Sequence, residues 1–288
     1  TFLAALLFNT GNGAQVASLQ TGDSANGLAG ADTLNATLNV SAVPTSLAGI
    51  ETQNYTVFVA STLSAGGISG VDSINTVNST ADFTVTGLQE AVDFGISGVT
   101  DAAVDLLLSF GTSATTSGST DTITGTITGS TFGDVSLTTA AANGFETLAI
   151  VSSGASANTI DEIFQVTGTT MATLNVSGAQ AVTLEEIPST ILTVNASAMT
   201  MTTGAGLQLG VGTTTATYLG FSTAFDGTLT NNNMNNITGG PGNDTFIFGT
   251  FFDASDFDAT TGETLNGGLG TADVFQASFA ATIGTGLH

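Results

Sequence analysis

The sequence predicts an all-β chain, a parallel β-solenoid or β-roll-like coil. Three observations predict it. Helix-favouring surface residues are nearly missing while Thr, Val and Ile abound, a composition that suits strands. Short strand-like runs recur between Gly, Ser and Asn punctuation. Short segments also repeat: Thr173-Leu174-Asn175-Val176-Ser177 returns twenty residues on as Thr193-Val194-Asn195-Ala196-Ser197, and Thr147 to Ser152 is a looser copy upstream. A repeat of roughly 20 to 26 residues suits one coil whose half-covered inner face must stack on its neighbours.

Among the elements, Asp121 to Thr128 alternates with period two, as a half-buried strand should. Gly49-Ile50-Glu51-Thr52 is echoed by Gly144-Phe145-Glu146-Thr147, each ahead of an alternating run. Leu88 to Phe110 is the best helical candidate, so one short helix near 88–110 is an option beside strands. A longer repeat relates Thr1-Phe2 and Thr21 to Leu34 to Thr245-Phe246 and Thr261 to Phe275. It predicts a solenoid-like unit over 1–237 and a segment over 238–288 that begins the next unit. The chain is then expected to be a piece of a tandem array.

The 288 residues carry 23 Asp plus Glu, one His, and no Lys or Arg, for a formal charge of −23. Nucleic acid is not an expected partner, because nothing neutralises phosphate. Docking on anionic lipid through a basic patch is excluded for the same reason. Membrane insertion is not expected, since no apolar run approaches the ~20 residues of a span. No cysteine is present, so disulfides and zinc–thiolate sites are out. At 41% hydrophobic residues the chain can afford a core.

An enzyme is not expected. His288 stands alone at the chain's end, which makes Ser-His-Asp chemistry implausible. Asp161-Glu162 and Glu185-Glu186 are sequence neighbours, whose side chains point to opposite faces of a strand.

The candidate site is metal-binding. In Gly239-Gly240-Pro241-Gly242-Asn243-Asp244-Thr245-Phe246-Ile247, glycines allow a tight turn with exposed carbonyls and Asp244 adds an anionic oxygen. Ca²⁺ takes six to eight such oxygens. Gly267, Gly268, Gly270 and Asp273 form a second, imperfect copy, with Asp one place late. A third copy has Gly27, Gly30 and Asp32, with Leu28 in place of its second glycine. The first two copies start 28 residues apart, a spacing that suggests isolated sites or half-sites. Asp253, Asp256 and Asp258 lie between them and would repel one another without a divalent counter-ion. With no basic side chain, the 23 carboxylates lack an internal partner, and divalent cations are the expected counter-charge.

Together these motifs resemble RTX-type calcium-binding bacterial surface-layer proteins and related giant secreted repeat proteins. The carriers are Gly22-Asp23, Gly30 with Asp32, Gly49 to Thr52, Gly144 to Thr147, Thr173 to Ser177 and Gly239 to Phe246. The resemblance implies type I secretion with an uncleaved C-terminal signal, Ca²⁺-driven folding outside the cell, and self-assembly. Two departures are a scarcity of tandem nonapeptides and no recognisable C-terminal export signal. The expected function is an extracellular, calcium-dependent structural protein that self-assembles into a surface layer or filament. Its first partner is then itself, and a cell-surface polysaccharide is a further candidate. The alternative is an adhesin or carbohydrate-binding segment of a giant secreted repeat protein.

Overall fold

The computed structural model describes residues 2–3, 7–8, 15–115, 120–139, 144–167, 171–188, 190–191, 193–200, 205–209, 236–248 and 264–277. Asp253, Asp256, Asp258 and His288 lie outside these residues.

The chain is a parallel β-solenoid. Sheet 1 stacks, in order, Phe2–Leu3, Thr33–Leu38, Thr52–Val57, Ser73–Val77, Asp93–Ser97, Thr122–Thr128, Thr147–Ser153, Thr173–Gly178, Thr193–Met199, Asn236–Thr238 and Thr264–Asn266. Sheet 2 runs beside it from Ser61–Ser64 through Phe83–Leu88, Leu106–Phe110, Val135–Thr139, Asn158–Gln165, Val182–Glu186, Ala205–Leu209 and Asn243–Phe248 to Val274–Ala277. A short sheet 3 joins Ser24–Asn26, Ser46–Ala48 and Ile68–Ser69. Both long sheets continue past residue 238: Asn236–Thr238 pairs on either side in sheet 1, and Asn243–Phe248 does so in sheet 2.

The repeats seen in the sequence become neighbours in space. Thr147 pairs with Thr173 and Thr173 with Thr193, so the three related segments lie in consecutive rungs of sheet 1. Gly49-Ile50-Glu51-Thr52 and Gly144-Phe145-Glu146-Thr147 share one architectural role. Ile50 and Phe145 are fully buried at the entry to a sheet 1 strand. Glu51 Oε2 accepts the Asp32 N–H at 2.7 Å, and Glu146 Oε2 accepts the Asp121 N–H at 2.7 Å. Each glutamate thus ties its rung to the rung before.

One continuous core fills the space between the sheets. Sheet 1 contributes Leu34, Tyr55, Ile74, Phe94, Ile127, Ile150, Val176 and Val194. Sheet 2 contributes Phe83, Val85, Leu106, Phe110, Leu137, Ile163, Leu184 and Leu207. Parallel strands covered by helices on both faces read as unbroken apolar runs. These alternate, because among the described residues no helix covers the outer face. Tyr55 packs on Phe83 with ring centroids 5.2 Å apart, and its hydroxyl donates to Gln53 Oε1 at 2.8 Å. Burial raises the Tyr55 phenol far above its usual range.

The helix considered near 88–110 is replaced by strands. Asp93–Ser97, Thr100–Asp101 and Leu106–Phe110 occupy this stretch, and among the described residues the only helical turn is the short 3-10 segment Ala65–Gly67. Gly98 adopts φ +66°, which stops any helix there. Leu106, Leu108 and Phe110 then alternate inward with period two.

Candidate metal-binding corners and the carboxylate row

The Gly-rich copies are corners between strands. Gly239 to Gly242 joins Asn236–Thr238 of sheet 1 to Asn243–Phe248 of sheet 2. Gly267 to Asp273 makes the same passage between Thr264–Asn266 and Val274–Ala277. These strands pair directly, so the second corner sits on the first. Their 28-residue offset is one rung of the coil. The Gly239 N–H donates to Asn266 O at 2.7 Å, and the Asp244 N–H donates to Asp273 Oδ1 at 3.0 Å.

Glycine is required here by crowding from oxygens. A Cβ on Gly239 would sit 2.3 Å from Gly267 O and 2.5 Å from Asp244 Oδ2. One on Gly270 would sit 2.2 Å from both Asp273 Oδ1 and Gly242 O. One on Gly268, at φ +91°, would meet Gly240 O at 2.1 Å. Carboxylate and carbonyl oxygens therefore converge where the glycines leave space. The donor set is oxygen throughout, the chemistry that suits a hard cation such as Ca²⁺.

The third copy, a corner from sheet 3 to sheet 1 at the other end of the coil, shows similar crowding at its first glycine. A Cβ on Gly27 would lie 1.9 Å from Gly49 O and 2.9 Å from Asp32 Oδ2, matching the pair beside Gly239. The Leu28 N–H donates to Asn26 Oδ1 at 2.9 Å, and the Gly268 N–H donates to Asn266 Oδ1 at 2.9 Å. Glu51 caps the Asp32 amide as Asp273 caps that of Asp244. Gly30 takes φ +131° ahead of Asp32. Among the described residues, no three His, Cys, Asp or Glu side chains converge on one point. A cation at these corners would therefore be held mostly by backbone carbonyls.

Asp244 is fully buried. Its Oδ1 accepts the Leu207 N–H at 2.6 Å and its Oδ2 accepts the Gly240 N–H at 2.8 Å. Burial pushes its carboxyl pKa up, against the pull of those two amides, and the nearby Asp273 charge adds to the rise. The expectation that carboxylates lack an internal partner needs correcting: many find backbone N–H groups. Glu90 Oε1 accepts from Gly70 and Val71, Asp82 Oδ1 from Asp105, Asp105 Oδ1 from Asp134, and Asp93 Oδ1 from Thr124.

A second acidic feature was not legible in the sequence. Asp82, Asp105, Asp134, Asp161 and Glu185 occur in consecutive rungs beside or within sheet 2. The Asp105 N–H donates to Asp82 Oδ1 at 3.1 Å and the Asp134 N–H to Asp105 Oδ1 at 2.9 Å. The sheet register places Asp161 beside Glu185. Burial, then the charges of Asp105 and Asp161, raises the Asp134 carboxyl. Burial, then Asp105, raises Asp161; burial, then Asp161, raises Glu185. Like charges stacked at the ~4.8 Å strand spacing repel across partly dry surroundings.

No helix among the described residues is long and apolar enough to cross a membrane. No family model, curated protein or solved structure matches this chain.

Proposed function

We propose that this chain is an extracellular, calcium-dependent structural protein that assembles with copies of itself into a surface layer or filament. The observation that carries the reading is the stacked pair of corners at Gly239 to Asp244 and Gly267 to Asp273. There, carboxylate and carbonyl oxygens crowd the space left by glycines, in a chain of charge −23 with no Lys or Arg. The residues that would hold the ion are Asp244, Asp273 and the carbonyls of Gly239, Gly240, Gly242 and Gly267. Asp32 with Gly49 O would form the equivalent pair at the other end.

In low calcium, self-repulsion opposes the compact state and keeps copies apart. A cation that binds only the folded chain stabilises it by mass action, by about 2.7 kcal/mol at a free concentration 100 times its dissociation constant. Contacts between copies would use strand edges, Thr and Asn hydrogen bonds and bridging cations, because Lys and Arg ion pairs are unavailable. The test is electron microscopy and thermal melting of the purified chain at neutral pH, with calcium and with EDTA. Ordered assemblies and a higher melting temperature in calcium are expected, both reversed by chelation. Melting and assembly indifferent to chelation would remove the calcium part of the reading.

A further inference from the structure

The outer face of sheet 1 carries a row of asparagines. Asn35, Asn54 and Asn75 occupy equivalent positions in three consecutive strands. Asn54 Nδ2 donates to Asn35 Oδ1 at 2.8 Å, and Asn75 Nδ2 donates to Asn54 Oδ1 at 2.8 Å. All the amides point the same way, so each bond polarises the next. The row ends abruptly. The next strand has Gly95 at that position, and the one after has Thr126. A Cβ on Gly95 would lie 2.2 Å from Asn75 Oδ1, so the terminal amide oxygen takes the space of the missing side chain. A groove of about 330 Å³ opens there, lined by Asn54, Asn75, Val77, Gly95, Ser97 and Thr126 among others. That lies at the small end of ligand-sized clefts, roughly 300–1,000 Å³.

The chemistry of this groove differs from that of the carboxylate row and the Gly-rich corners. Its lining holds no carboxylate. The polar groups are amides and hydroxyls, which both donate and accept hydrogen bonds. Val77 and the bare Gly95 backbone supply a small apolar floor. The strands beneath are paired on both sides, so a peptide cannot add as a further strand at this point. A charge of −23 disfavours anionic polymers. We propose that this groove is a binding site for a neutral glycan. Asn75 Oδ1 would accept from one sugar hydroxyl, the Ser97 and Thr126 hydroxyls would pair with its neighbours, and Val77 would pack against the C–H face of the ring. The proposal depends on neither calcium nor assembly, so the two readings fail separately.

The test is affinity electrophoresis of the full chain in gels containing dextran, mannan or hydroxyethylcellulose, with polygalacturonate as the anionic comparison. Retardation by at least one neutral polymer is expected. Gly95→Asn fills the groove and can extend the amide row, since the Gly95 backbone has no left-handed φ. This variant should raise the dissociation constant at least about tenfold, with a cooperative melt showing that it stays folded once the Asn75 amide, 2.2 Å from the new Cβ, has shifted. Thr126→Ala, at an exposed position, should weaken binding with the fold intact and carries the test should Gly95→Asn misfold. No retardation by any of the three neutral polymers, retardation by polygalacturonate alone, or full binding by a folded Gly95→Asn or Thr126→Ala would each overturn the assignment.

Discussion

Replacing Leu28 with glycine is expected to stabilise the protein. Leu28 has φ +64°, in the left-handed region, where a Cβ costs roughly 1–2 kcal/mol. Its side chain is 80% exposed, so truncation gives up little burial. Glycine gives back part of the gain by loosening the unfolded chain, about 0.4–1 kcal/mol. The balance is a stabilisation of about 0.5–1 kcal/mol, or a rise of roughly 1–4 °C in melting temperature for a chain of this size. The equivalent residue in the second corner is already glycine: Gly268 at φ +91° makes the same N–H bond to its Asn266 side chain. The assay is thermal melting, with amide exchange at Gly27 and Leu28 as a local readout. Two companion variants isolate the cause. Leu28→Ala keeps the Cβ and should gain much less. Gly268→Ala places a Cβ 2.1 Å from Gly240 O and should destabilise by about 1–3 kcal/mol. A Leu28→Ala gain equal to that of Leu28→Gly would refute backbone strain as the cause and leave exposed leucine as the explanation.

Two further predictions concern the carboxylate row and the core. The raised pKa values of Asp134, Asp161 and Glu185 mean that the folded state holds these protons more tightly than the unfolded chain. Their contribution to stability is full below the ordinary carboxylate range and is lost as pH rises through the raised values. Chemical denaturation across mildly acidic pH should therefore show stability rising on acidification at these sites. Asp161→Asn should flatten that rise and stabilise the protein at pH 7. In the core, Gly125 makes room for a ring: a Cβ there would lie 2.3 Å from Phe94 Cζ. Gly125→Ala should cost about 1–3 kcal/mol by overpacking, read as a lower melting temperature, and Phe94→Leu in the same chain should recover part of it.

Much of the fold was legible because a solenoid writes its register into the sequence. Thr173 to Ser177 and Thr193 to Ser197 look alike because they occupy the same environment one rung apart. The two Gly-x-Glu-Thr segments look alike because each glutamate caps an amide of the preceding rung. Legibility failed where rung length varies. Contacts between neighbouring rungs span 19 residues at Asn35–Asn54, 31 at Asp93–Thr124 and 37 at Leu207–Asp244. No single period could align them, so the corners at Gly239 and Gly267 read as separate when they are stacked. The carboxylate row was hidden in the same way: Asp82, Asp105 and Asp134 are separated by 23 and 29 residues, and only the register brings them together. Within Leu88 to Phe110, the best helical candidate in the sequence, Leu107 interrupts the apolar–polar alternation of a strand. Leu107 faces outward and is half-buried, flanked in the sheet by Thr84 and Ser136.

The missing Lys and Arg are compatible with this fold because many of the acidic side chains among the described residues do not need them. Glu51, Glu90, Glu146, Asp82, Asp93, Asp105 and Asp244 all accept backbone N–H groups. Bonds from an N–H to a charged oxygen are among the stronger ones available to a protein. They also bridge rungs, so the carboxylates strengthen the stack that carries them. What burial and like charge leave unfavourable is local: the row through Asp134, Asp161 and Glu185. The outer face of sheet 1 is close to the opposite extreme, since Asp93 is the only carboxylate in the strands from Thr33–Leu38 to Thr193–Met199. The carboxylate row of sheet 2 and the neutral, hydroxyl-rich face of sheet 1 thus lie on different sheets of one coil. The proposed cation corners and the proposed neutral-ligand groove share no residue, so Asp273→Asn and Gly95→Asn should perturb them independently.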